Sequence, residues 1–152
     1  MADSTPIAAQ KLAEVCAGAM YERDYAAQML GITIKEMRSG YARLSMTVRK
    51  DMVNGHDIGH GGIIFTLADT AFAYSCNSHN HVTVASGCNI EFVSPSHLDD
   101  ELTAIAEERS LSGRSGIYDV CVTNQNGAVI AHFRGRSTRI QGQVVPGLEI
   151  EL

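Results

Sequence analysis

The sequence predicts an α+β fold in which an antiparallel β-sheet wraps one long central helix. Three observations carry this. Residues 61–77 form a single apolar helical stretch entered through a glycine and histidine loop, Asn54-Gly55-His56-Asp57-Ile58-Gly59-His60. The segments on either side alternate apolar and polar residues with the period of half-buried strands. The last three of those segments follow one another through short turns, without the strand-helix alternation that a parallel sheet requires.

Residues 1–6 read as frayed. Residues 7–29 place Leu12, Val15, Cys16, Ala19 and Met20 at three and four residue spacing, the pattern of one amphipathic helix. A short segment of mixed pattern, 31–37, precedes the turn signal Ser39-Gly40. From Ala42 the alternation is clean: Ala42, Leu44, Met46 and Val48 share one face, and Arg43, Ser45, Thr47 and Arg49 share the other. After the central helix, 82–93 is rich in β-branched residues and puts Val82, Val84, Cys88, Ile90 and Phe92 on one face; Ser94-Pro95-Ser96 ends it. Residues 102–111, 117–124 and 129–140 read as three consecutive strands. Gly113-Arg114-Ser115-Gly116 and the two-residue signal Asn126-Gly127 join them. With no internal repeat and no low-complexity linker, residues 1–152 are expected to form one domain.

The formal net charge is -5, from 12 Lys and Arg against 17 Asp and Glu. This balance, without a basic stripe, argues against a nucleic-acid surface. No apolar run is long enough to span a bilayer and the first residues lack a leader pattern, so a cytoplasmic protein without membrane contact is expected. Cys16, Cys76, Cys88 and Cys121 are dispersed with no C-x-x-C, as reduced small hydrophobes would be.

Between Gly61 and Asn77 the one residue that ionises is Asp69. A helix apolar all round is usually buried, and a buried, unpaired carboxylate is costly unless something uses or neutralises it. A structural role would pair it with a backbone amide or an arginine.

The order of elements, Asn54-Gly55, the His60-Gly61-Gly62 helix entry, Leu67-Ala68-Asp69-Thr70-Ala71, Ile90-x-Phe92-x-x-Pro95 and Phe133-Arg134-Gly135 together resemble the hotdog-fold thioesterases, most of all the phenylacetate-degradation (PaaI-type) group. The resemblance runs from about Ala19 to Ile140. One departure is Ser94 before Pro95, where many relatives carry a basic residue. The resemblance implies an acyl-CoA thioesterase acting on an arylacetyl or related thioester in aromatic catabolism, with no cofactor beyond the coenzyme A of its substrate. It implies Asp69, Gly61, Asn54 and His60 as catalytic residues. It also implies Gly62, Thr70, Ser86, Gly87, Arg114 and Ser115 as substrate-binding residues.

Physical reasons support these roles. Amides at the start of a helix have no intrahelical partner and sit at the positive end of the dipole, which suits an oxyanion near Gly61 and Gly62. Asp69 is nucleophile or general base for water, two roles that sequence leaves open. Asn54 holds the carbonyl or the water through its amide, and His60 fixes the loop or touches the thioester. Gly61 and Asp69 are eight residues apart, about 12 Å along a helix axis, too far to serve one carbonyl. The enzymatic reading therefore requires at least a dimer, with Asp69 of one subunit facing Gly61 of another. The resemblance implies a homotetramer built from two such dimers.

Several competing readings fall away at this level. His56 with His60, and His79 with His81, have spacings seen in metal ligands but lack a third ligand, so no metal is expected. There is no G-x-S-x-G nucleophile elbow, and nothing activates Cys76. Gly113-Arg114-Ser115-Gly116 is a hairpin turn or, through Arg114, a phosphate contact. Phe65, Phe72 and Tyr74 serve equally as acyl pocket or as core. A non-catalytic acyl-CoA-binding module and a hotdog dehydratase remain as alternative functions.

Overall fold

The computed structural model describes residues 7–148; the frayed ends expected at 1–6 lie outside them. Two helices, α1 (Ala9–Tyr21) and α2 (Tyr25–Met29), lead into strands β1 (Thr33–Arg38) and β2 (Tyr41–Thr47). A 3-10 turn (Lys50–Met52) and a glycine loop then open the central helix α3 (Gly61–Cys76). Strands β3 (Thr83–Phe92), β4 (Glu101–Ser112), β5 (Ser115–Thr123) and β6 (Val129–Arg139) complete the chain. All six strands form one antiparallel sheet in the order β1-β2-β4-β5-β6-β3. Among the described residues no helix is long and apolar enough to cross a membrane.

Small residues in the centre of the sheet let α3 approach it. Ala42 lies opposite Ala106, and Leu44 opposite Ala104; Ala104 and Ala106 in turn face Val122 and Val120. Into this floor α3 presses Leu67, Ala68, Ala71 and Phe72, none more than 1% exposed. Burying one such large side chain is worth roughly 1.5–3 kcal/mol. Phe72 lies directly over Gly135, where a Cβ would come within 2.7 Å of the ring, and it packs against Phe133 and Tyr118 at ring separations of 5.8 and 5.6 Å. Phe72 and Tyr74 are thus core residues, each 1% exposed. Only Phe65 of the three aromatics on this helix is partly open, edge-on to Phe133.

Four local expectations are corrected. The helix expected over 7–29 is two helices, because Asp24 caps a second start: its Oδ1 accepts from the Ala27 N–H at 3.1 Å. The loop between β5 and β6 is longer than two residues. Asn124 and Ala128 close it, and Gly127, at φ 79°, makes the left-handed turn back into the strand. The apolar face expected on β3 is not uniformly covered, since Val84 is 44% and Phe92 54% exposed; β3 is an edge strand with a bulge between Ala85 and Gly87. Finally, α3 is not buried all round. Gly62, Thr66, Asp69 and Ala73, at helical spacing on one stripe, stay partly open.

Candidate active site

The loop before α3 is closed by Asn54. Its backbone N–H donates to the Ile58 carbonyl at 2.8 Å, and its side-chain Oδ1 accepts from the amides of His56 (2.9 Å) and Ile58 (3.4 Å). With Oδ1 committed to the loop, the Nδ2 amide is left without a partner among the described residues, a free donor. His60 caps α3: its backbone N–H donates to the Met52 carbonyl, and its ring Nδ1 accepts the Gly62 N–H at 3.2 Å. The ring therefore keeps its lone pair on Nδ1 and its proton on Nε2.

Because Gly62 donates to His60, the Gly61 N–H is the one left without a partner at this helix start, among the described residues. Gly61, Asn54, Ile64, Phe92 and Val93 line one cleft. A Cβ on Gly61 would lie 3.2 Å from Phe92 Cζ, so glycine here accommodates the approach of a ring that is itself half exposed. Gly59 is required for a different reason: any side chain would run into Ser96 Oγ, and the Gly59 N–H donates to the Ser96 carbonyl at 2.8 Å.

Asp69 is half-buried on the open stripe of α3 and has neither a hydrogen bond nor an ion pair among the described residues. The arginine or amide of a purely structural acid is therefore absent there. Burial raises its pKa above the ordinary carboxylate value, and the charge of Asp24 adds to the effect. Asp24 is anchored near α3 by the Tyr74 hydroxyl, which donates to its Oδ2 at 3.2 Å. Asp69 also contributes, after burial, to the raised pKa of Cys88. Its eight-residue offset from Gly61 on one unbroken helix is about 12 Å along the axis.

The remaining candidates are spread over the fold. Thr70 is 9% exposed and turns its hydroxyl back to the Thr66 carbonyl at 2.6 Å. Ser86 and Gly87 lie at the β3 bulge, where Ser86 Oγ donates to the Arg136 carbonyl and open space surrounds Gly87. Arg114 and Ser115 lie at the β4–β5 hairpin, whose Gly113 takes φ 59°. That hairpin borders the far end of α3, beside Cys76. The structure thus brings Asn54, His60, Gly61 and Gly62 together and leaves Asp69 and Arg114 at successively greater distances along the helix. Sequence reasoning missed Phe92 over Gly61 and the charge of Asp24, which adds to the effect of burial on Asp69. A helix-cap signal marks Asp24 in the sequence, whereas the Phe92 contact spans 31 residues and has no local signature.

Among the described residues no group of three or more His, Cys, Asp or Glu side chains is arranged to hold a metal. Burial pushes the Cys16 thiol up to about 11 and Cys76 up to about 12, so neither supplies a thiolate near neutral pH.

Comparison with known proteins bears on this geometry. The family model of the thioesterase superfamily matches residues 56–131. Acyl-coenzyme A thioesterase PaaI of Escherichia coli (strain K12) is 48% identical over 128 residues, which is 84% of this chain and 91% of that protein. The structure of the E. coli PaaI protein, from the phenylacetic acid degradation operon, superposes with a TM-score of 0.88 at 46% identity, covering 90% of this chain and 99% of that one. A thioesterase protein from Streptococcus pneumoniae TIGR4, solved with coenzyme A, matches with a TM-score of 0.76 at 25% identity, over 82% of this chain and 98% of that one.

Proposed function

The chain belongs to the thioesterase superfamily, and from that premise we propose that it hydrolyses an arylacetyl-coenzyme A of the phenylacetyl type, releasing the free acid and coenzyme A in aromatic catabolism in the cytoplasm. The observation that carries the reading is the carboxylate of Asp69, unpartnered among the described residues and made more basic by burial, on the same helix that begins with a free amide at Gly61.

In this mechanism the thioester carbonyl oxygen sits against the Gly61 N–H at the positive end of α3, with the Asn54 Nδ2 amide as a second donor. Asp69 of a second subunit removes the proton from the attacking water, or attacks the carbonyl itself. In the first case the C–S bond breaks and the proton held by Asp69 passes to the departing coenzyme A thiolate; in the second the thiolate leaves and is protonated by water, and a further water hydrolyses the acyl-aspartyl anhydride to free acid and Asp69. His60 accepts the Gly62 N–H on its Nδ1 and so holds the entry to α3. No cofactor takes part, since coenzyme A belongs to the substrate.

The two halves of the site meet only if two helices lie antiparallel across a two-fold axis. Strand β3 supports such pairing: it is a ten-residue edge whose exposed Val84 and Phe92 make it a template for another strand. A homodimer follows from this reading, and the resemblance to the PaaI-type thioesterases implies a homotetramer of two such dimers. The direct experiment is thiol release from a panel of acyl-CoAs. Phenylacetyl-CoA is expected to exceed straight-chain acyl-CoAs at least ~10-fold in kcat/KM, a difference within what pocket shape supplies. Tight acyl-CoA binding without any released thiol would overturn the hydrolase reading in favour of a binding module.

A further inference from the structure

Resting on the hydrolase reading, we propose that Asn54-Gly55 is a self-modification site: the peptide nitrogen of Gly55 displaces the side-chain amide of Asn54 as ammonia, and the loss of that oxyanion donor inactivates the enzyme. Asn54 and Asn126 are the asparagines that precede a glycine. Glycine leaves its peptide nitrogen unshielded by any side chain.

The local geometry favours the reaction at Asn54. Glycine is not demanded by the fold at position 55: its φ lies outside the left-handed region, and an added Cβ would meet no heavy atom within 4 Å. Gly127, by contrast, takes φ 79°. The Gly55 N–H has no acceptor among the described residues, so its nitrogen is not tied up in a backbone bond. Asn54 Oδ1 accepts from the His56 amide at 2.9 Å and, more weakly, from the Ile58 amide at 3.4 Å. The His56 bond closes a ring of atoms that contains both Asn54 Cγ and the Gly55 nitrogen, which holds the reacting atoms in one turn. The same two amides lie where charge develops, because attack on Cγ turns Oδ1 into an oxyanion.

The Gly55 N–Cγ bond forms, the Cγ–Nδ2 bond breaks, and ammonia departs with the proton that the Gly55 nitrogen carried. The product is a cyclic imide, which water opens. Addition of water at Cγ restores the main chain and gives aspartate. Addition at the main-chain carbonyl of the same residue gives isoaspartate, whose main chain is one methylene longer. Either product exchanges the Nδ2 donor for a carboxylate that only accepts and sets negative charge beside the developing oxyanion. Isoaspartate also lengthens the loop that enters α3.

A rigid turn would resist this chemistry, since the nitrogen must swing toward Cγ. Here Gly55, His56 and Asp57 are exposed, and Asp57 takes φ 61°, a backbone conformation uncommon for a residue with a side chain. The bonds that hold the turn are local, so it opens without disturbing the core.

The test follows modification and activity together. Wild-type protein is incubated in mildly alkaline buffer, and at intervals the Asn54 and Asn126 peptides are analysed by mass spectrometry beside thiol release from phenylacetyl-CoA. Activity is expected to fall in step with the unconverted fraction of Asn54, whatever the state of Asn126, which does not line the cleft at Gly61. Asn54→Asp, which encodes one product directly, is expected to lose ~10²-fold or more in kcat at an unchanged melting midpoint. Gly55→Ala, whose methyl group shields the peptide nitrogen, is expected to start with wild-type activity and to lose amide and activity at least ~10-fold more slowly. An Asn54 that keeps its amide while Asn126 converts would overturn the proposal. Full activity after Asn54 has converted, or equally fast inactivation of Gly55→Ala, would overturn it too. A protein that hydrolyses no thioester, yet loses the Asn54 amide in a Gly55-dependent way, would sink the hydrolase reading and support the modification site.

Discussion

Asp69→Asn is expected to lower kcat for thioester hydrolysis by ~10³-fold or more, about 4 kcal/mol of transition-state stabilisation, while leaving the protein as stable as wild type or more so. The two effects share one cause. Asp69 is half-buried without a partner among the described residues, and burial, aided by the charge of Asp24, raises its pKa. A carboxyl whose folded pKa lies above its unfolded value binds its proton more tightly when folded. Ionisation at neutral pH therefore opposes folding, and that cost fades as pH falls below the ordinary carboxylate value. Asparagine removes both the cost and the base. Thermal melts at pH 7 should show the variant at or above the wild-type midpoint, and the gap should close in acid. The same shift sets the pH profile of activity: kcat/KM of wild type is expected to fall, on acidification, through a pKa above the ordinary ~3.9 of an aspartate. A variant with wild-type turnover would remove Asp69 from the mechanism.

The second large effect is expected at Gly61, where the proposed catalytic group is a backbone N–H that ordinary substitution leaves in place. Proline deletes it. The site tolerates the exchange: Gly61 is the first residue of α3, where proline suits the helix and its missing donor breaks no helical bond. The preceding residue, His60, already has the extended backbone that proline imposes, φ -65° and ψ 131°. Gly61→Pro should therefore fold and lose ~10²–10³-fold in kcat, the cost of one oxyanion donor. Gly61→Ala is the control. It keeps the N–H yet places a Cβ against Phe92 at about the same 3.2 Å, and a loss below ~10-fold is expected because the half-exposed ring can shift. Equal losses in both variants would show that crowding, and not the amide, is responsible.

How much of this was legible in the sequence depends on the range of each interaction. The central helix was readable to within one residue, Gly61–Cys76 against the expected 61–77, because its apolar content, its His60 cap and its Asn77 end are all local. The buried faces of β2, β4 and β5 followed from alternation alone, as with Ala42, Leu44 and Met46. The break at Glu22–Asp24 has only the capping residue Asp24 as a local signal, with no glycine or proline, and the apolar spacing runs on across it. Strand β3 misled for a deeper reason. Alternation groups Val84 with Phe92, but it does not say whether the chain itself covers them. Within the site, the Asn54–Ile58 turn and the His60 cap were legible because their hydrogen bonds stay within a few residues, whereas the bond from Gly59 to Ser96 was not. The Phe92 ring over Gly61 depends on strand register and left no trace in local pattern.

The central claim is that Asp69 and Gly61 act together only across a subunit boundary. Its most direct test is co-expression of the two inactive variants, Asp69→Asn and Gly61→Pro, with distinguishable purification handles, followed by thiol-release kinetics on the isolated hybrid. If the halves come from different subunits, each hybrid dimer has one site with both lesions and one with neither. The account predicts roughly half of wild-type turnover per hybrid dimer, recovered from two nearly inactive parents. A hybrid as inactive as its parents would contradict it.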